Sequence, residues 1–186
     1  MKFKHNYSFA VFLLILFSLL LAACGGRSTD NPTSTTATRP DWFAIKLTDV
    51  RTGATFTMND FAGKVVLIEM MAMWCPTCLF QANEVRKLHK LLGNPDDLVS
   101  VSLDVDLHED KVTLGEYVQE YNFEWPFAIA HLEMQRAHAN LYSPEYHNPP
   151  LSPMLLIDRA GNVHQLKYEL KDAETLKKYV QPYLTP

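Results

Sequence analysis

Hydrophobic and polar positions divide the chain into three stretches of different character. Phe9 to Leu21 is apolar apart from Ser18; at about 13 residues it is shorter than the roughly 20 that a helix needs to span a bilayer. From Gly25 to about Arg39 the chain is mostly Gly, Ser, Thr, Asn and Pro, with almost no apolar content. Such a stretch cannot bury enough surface to fold, which predicts a flexible tether. Regular patterns begin near Asp41. Phe43 to Leu47 predicts a first strand, Arg51-Thr52-Gly53 a turn, and Thr55 to Met58 a second short strand. Asn59 to Gly63 predicts one helical turn closed by glycine. Lys64 to Met71 is a mostly apolar run of strand length, the pattern of a strand covered on both faces.

The second half continues the alternation. Leu79 to Leu92 carries Val85, Leu88, Leu91 and Leu92 at helical spacing and stops at Gly93-Asn94-Pro95. Leu98 to Leu103 predicts a third core strand. Lys111 to Tyr121 predicts a helix, with Val112, Leu114, Tyr117, Val118 and Tyr121 on and around one face. Phe127 to Ala130 predicts a short strand and Leu132 to Leu141 a helix. Pro144 to Pro153 is too rich in proline for regular structure. Met154 to Ile157 predicts a strand, Asp158 to Gly161 a turn, and Val163 to Tyr168 its hairpin partner. Asp172 to Tyr183 predicts a closing amphipathic helix. Strands that alternate with helices and end in a hairpin imply an α/β sheet with at least one parallel crossover.

Length and charge narrow this picture. A chain of 186 residues suits one domain with accessory segments. The net charge of -4, with no Lys/Arg run beyond the N-terminus, gives no sign of the clustered basic face that a nucleic-acid binder needs. Lys2 and Lys4 ahead of the apolar run make the pattern of a secretory signal. Its end, Leu21-Ala22-Ala23-Cys24, resembles a bacterial lipobox, in which small residues precede a cysteine that is lipidated and becomes N-terminal. The expected organisation is a signal peptide over residues 1–23, lipidated Cys24 and a tether over 24–40, and one folded domain over 41–186. Lipidation by more than one chain anchors stably, which puts the domain on the extracytoplasmic face of a bacterial membrane. It also removes Cys24 from redox chemistry and accounts for the odd count of three cysteines.

The remaining cysteines stand as Trp74-Cys75-Pro76-Thr77-Cys78. A lone C-x-x-C is either half a zinc site or a redox pair. Zinc needs four ligands, and neither a second cysteine pair nor a suitably spaced histidine pair is present. The junction of a buried strand with a helix start favours redox chemistry. Unpaired N–H groups and the positive dipole end stabilise a thiolate there. Pro76 fits the first helical position, which makes Cys75 the N-cap and the attacking thiol. Cys78, one turn further in, is expected to be the less exposed and to resolve the mixed disulfide.

With Gly63-Lys64-Val65-Val66-Leu67 leading into this motif, and Ser152-Pro153 before Met154 to Asp158, the chain resembles the thioredoxin superfamily over about Trp42 to Tyr183. Within it, the chain is similar to the membrane-anchored TlpA/ResA-like group and to the thioredoxins of cytochrome c maturation. The resemblance implies a thioredoxin-like α/β fold, a central mixed sheet with helices on both faces. It implies a cis Pro153 opposite the cysteines, with the backbone beside it pairing with a substrate peptide as an added strand. Ser152, Trp74, Pro76 and Thr77 become substrate contacts. Glu69, a carboxylate in an apolar strand, matches the buried acid of cytoplasmic thioredoxins and is assigned the proton of Cys78. The implied activity is thiol–disulfide exchange by a monomer, with no cofactor beyond the cysteine pair and no metal. Its partners are protein thiol or disulfide substrates, such as apocytochrome c or copper-site proteins, and a membrane thiol reductant. Met71, where relatives often have an aromatic residue, and Leu79 to Glu84 depart from the family pattern.

Two further readings follow from neighbouring residues. Met70, Met71 and Met73 beside thiolates suit Cu(I), which raises a copper-binding or delivery protein. Copper-delivery relatives space their cysteines three apart, whereas the gap here is two. A thiol peroxidase of the peroxiredoxin kind has threonine three residues before its reactive cysteine, where this chain has Ala72. His108, Glu109 and Asp110 read as a polar loop after a strand, and Trp125-Pro126-Phe127 as core packing.

Overall fold

The computed structural model of this chain describes residues 39–184. Five strands form the main sheet: β3 (Val65–Met71), β4 (Leu98–Asp104), β5 (Phe127–Ile129), β6 (Met154–Ile157) and β7 (Val163–Gln165). Their order across the sheet is β5-β4-β3-β6-β7. β3, β4 and β5 run parallel, while β6 is antiparallel to both β3 and β7. β1 (Leu47–Thr48) and β2 (Thr55–Phe56) pair separately as an antiparallel ribbon. Four helices follow in chain order: α1 (Pro76–Leu91), α2 (Lys111–Glu120), α3 (Leu132–Leu141) and α4 (Ala173–Leu184).

All seven residues of β3 are buried, as its continuous apolar run requires. Alternate residues point to opposite faces. Val65, Leu67 and Met71 enter one core with α1, α2 and α4, contributed by residues such as Val85, Leu114 and Leu176. Val66, Ile68 and Met70 enter the other, with Trp42, Phe43, Tyr146 and Met134 of α3. Glu69 therefore shares the face of α1 and the two cysteines. The mixed sheet with helices on both faces is the architecture that the resemblance implied.

Three local expectations are corrected. Phe43 to Leu47 is not one strand: Asp41–Ala44 forms a 3-10 turn and only Leu47–Thr48 pairs. The turn buries the adjacent Trp42 and Phe43 together, which alternation along a strand forbids. The proline-rich segment contains two 3-10 turns, Pro144–His147 and Pro149–Leu151, because proline at the start of a helical turn sacrifices no needed N–H. Finally, Pro153 is not cis: among the described residues every peptide bond is trans. The chain reverses instead at Ser152, whose backbone is left-handed with φ 48 at the end of the second turn.

Candidate active site

β3 ends at Met71 and α1 begins at Pro76, so the four intervening residues form a tight loop at the edge of the core. Cys75 is the N-cap of α1, and its sulfur accepts the Cys78 N–H at 3.3 Å. The Thr77 hydroxyl lies 3.1 Å from the same sulfur. Cys75 and Cys78 are joined by a disulfide, with their Cα atoms 5.3 Å apart. Both groups are placed to donate a hydrogen bond to a thiolate at Cys75.

The expected difference in exposure is absent: Cys75 is 0 % exposed and Cys78 1 %. The Pro149–Leu151 turn lies against Cys78 and Thr77. The Pro149 carbonyl lies 3.5 Å from Cys78 Sγ, and the Pro150 carbonyl lies 3.4 Å from the Thr77 hydroxyl. Pro76 is exposed and Thr77 half-buried. Ser152 and Pro153 are both buried. The Pro153 carbonyl accepts the Met70 N–H at 3.0 Å, which ties the turn to β3.

Glu69 is buried, and desolvation pushes its carboxyl from 4.5 up to about 8. The Ser102 hydroxyl, which donates to its Oε2 at 3.4 Å, and the charge of Lys171 oppose that rise. Its other oxygen has no hydrogen-bond partner among the described residues. Ser102 in turn accepts the Trp125 indole N–H at 3.0 Å, so Trp125, read as packing, also positions the serine.

The polar loop after β4 takes part in the site. Asp106 accepts the indole N–H of Trp74 at 2.7 Å, holding a side chain that is 57 % exposed beside the cysteines. Glu109 accepts the Met73 N–H. Burial and the nearby Glu109 raise the pKa of Asp104 at the end of β4. His108 stays on the surface, hydrogen-bonded to Asp106. Asp110 caps α2 through Val112 N and Thr113 N. Sequence reading missed Asp106 and Glu109 as site residues. Their one signal was an acidic loop following a core strand.

Of the three methionines, Met71 shares the cysteines' core, Met73 packs against it, and Met70 lies in the opposite core. Among the described residues, no three His, Cys, Asp or Glu side chains gather as a metal-holding group. Cys24 lies outside the described residues.

The chain matches the Redoxin family model over residues 34–181. No curated protein matches it significantly. Solved structures are similar in fold at low identity. A thiol:disulfide interchange protein from Chlorobium tepidum is 18 % identical, with a TM-score of 0.61, over 76 % of this chain and 93 % of that one. The exposed lipoprotein thioredoxin of Streptococcus pneumoniae is 17 % identical, with a TM-score of 0.58, over 74 % and 98 %. BsSco, of the Sco family of cytochrome c oxidase assembly proteins, is 16 % identical, with a TM-score of 0.60, over 76 % and 91 %.

Proposed function

This chain belongs to the Redoxin family, and from that premise we propose that it is a membrane-anchored, extracytoplasmic thiol–disulfide oxidoreductase that reduces disulfides of partner proteins. The observation that carries the reading is the Cys75–Cys78 disulfide at the start of α1, on the sheet face that also holds the buried Glu69.

In the reduced protein, Cys75 is the thiolate, stabilised by the Cys78 N–H and the Thr77 hydroxyl. Its sulfur attacks a partner disulfide, forms a mixed disulfide and expels one partner thiolate. The Cys78 thiol then gives its proton to the Glu69 carboxylate. The Cys78 sulfur attacks Cys75 Sγ, and the second partner thiolate leaves. Two electrons have passed to the partner, and the protein is left with the disulfide described here. A membrane thiol reductant returns two electrons for the next cycle, because the cell exterior is oxidising.

The anchor rests on the sequence alone: Lys2 and Lys4, the apolar run, and Leu21-Ala22-Ala23 before Cys24. Among the described residues no helix is long and apolar enough to cross a membrane. The partners proposed are apocytochrome c or copper-site proteins. The position of Met71 in the cysteines' core supports a second reading as a copper-binding or delivery protein.

The reduction potential of the Cys75–Cys78 pair tests the direction. A value near about −270 mV supports the reductase, and one near about −120 mV overturns it in favour of an oxidase. Cys78→Ser should trap the partner on Cys75 as a stable mixed disulfide. Tight Cu(I) binding by the reduced chain, lost in Met71→Leu, would put the copper reading first.

A further inference from the structure

Lys171 is wholly buried just ahead of α4, and nothing in the exchange steps uses it. A buried ammonium is costly unless it is hydrogen-bonded or paired. Its backbone is gripped from α1: the Gln81 side-chain amide donates to the Lys171 carbonyl and accepts the Lys171 N–H, both at 2.9 Å. Its Nζ donates to the carbonyl oxygen of Glu169 and, at 3.3 Å, to that of Ser152. Lys171 thus bridges the helix that carries the cysteines and the residue that precedes Pro153.

The ammonium is thereby held two residues from Met154, the strand partner of Glu69, where its positive charge opposes the rise of the Glu69 pKa, although the two form no ion pair among the described residues. Around this space β3 contributes Glu69, β4 Ser102, α2 Tyr117, and α1 Cys78, Gln81 and Glu84. Asp104, also buried, lies two residues beyond Ser102 on the same face of β4. Glu84 is engaged by Ala173 N and Lys87. Glu169 belongs to the segment of Lys171 itself. Lys171 is the one cation in that set that the structure couples to Glu69.

We propose that Lys171 is a positioning residue of the exchange reaction: it holds the Ser152 carbonyl, and with it the turn beside the cysteines, and it supplies the positive charge that Glu69 faces as it takes the proton of Cys78. The charge role rests on the proton-acceptor role given to Glu69 above. The hold on Ser152 does not.

The test is the pH profile of peptide-disulfide reduction by the full-length chain, with kcat and KM measured separately. If Glu69 accepts the proton, the wild type shows a limb that rises with pH near Glu69's pKa, and Glu69→Gln abolishes it. Lys171→Met should move that limb to higher pH through loss of an opposite charge, by less than about one unit because Lys171 itself loses its proton over the same range. It should also raise KM about fivefold to tenfold through loss of one charge-assisted hydrogen bond. Lys171→Arg should restore the limb. Lys171→Gln, which can still donate a neutral hydrogen bond, should shift the limb as Met does but raise KM less, and it serves if the Met variant does not fold. A limb abolished by Glu69→Gln but unmoved by Lys171→Met and Lys171→Gln overturns the charge role and leaves Glu69 standing. A limb that survives Glu69→Gln overturns the Glu69 role and the charge role together. A KM unchanged in Lys171→Met overturns the hold on Ser152.

Discussion

Glu109 accepts the backbone N–H of Met73 with both carboxylate oxygens, at 2.9 and 3.1 Å, and so fixes the loop two residues before Cys75 from across the β4–α2 connection. Asp106, from the same connection, holds the next residue by its side chain, accepting the indole N–H of Trp74. Removing the Glu109 carboxylate leaves a partly buried N–H without a partner, at a cost of about 1–3 kcal/mol. Glu109→Ala should therefore lower the thermal midpoint and slow disulfide exchange several-fold. Glu109→Gln, which keeps an acceptor oxygen, should recover most of both. Equal rates and midpoints in Glu109→Ala and the wild type would show that the contact does not position the loop.

Among the buried groups through which stability should vary with pH, Glu69 and Lys171 act with opposite sign. Burial raises Glu69 from 4.5 to about 8. Between those values the native chain holds a proton that the unfolded chain has released, so stability is fully present below 4.5 and is lost as pH rises through about 8. Burial lowers Lys171 from 10.5 to about 8. Between about 8 and 10.5 the unfolded chain holds the extra proton, so stability rises with pH over that window. Each pKa unit is worth about 1.4 kcal/mol. Urea midpoints taken from pH 5 to 10 should show Glu69→Gln gaining on the wild type up to about pH 8. A difference independent of pH would contradict the burial of an ionisable group there.

Gln81 lies wholly buried in α1 with both halves of its amide committed to the Lys171 backbone. Gln81→Leu keeps the volume but strands two buried backbone groups, at about 1–3 kcal/mol each. The expected loss is about 2–6 kcal/mol, read by chemical denaturation. A loss below about 1 kcal/mol would mean that the 169–173 segment finds other partners.

Cys24→Ser addresses the anchor. Lipidation at this position should place the wild type in the membrane fraction, and the substitution should release it without changing the redox potential of Cys75–Cys78. A variant that stays with the membrane would remove Cys24 as the attachment point.

Those parts of the molecule set by neighbours along the chain were legible in advance. The apolar run that became β3, the N-cap at Cys75, proline at the first position of α1 and the glycine-marked helix ends all depend on rules that act over a few residues. Pro153 and Ser152 were placed beside the pair by resemblance, but the bond between them is trans. Lys171 was not legible: in sequence it is one more charge before an amphipathic helix, although Gln81, which grips it, is 90 residues away.

The sequence by itself determined the fold class, the two cysteines and the acid in the strand before them, because periodicity, capping and a conspicuous carboxylate are properties of local order. Only the tertiary structure decided that Cys75 is as deeply covered as Cys78, that Glu109 and Asp106 hold the reactive loop, and that Lys171 stands behind the site. Burial and charge arise from segments that meet only when the sheet and helices close around them, and no spacing along the chain encodes that meeting directly.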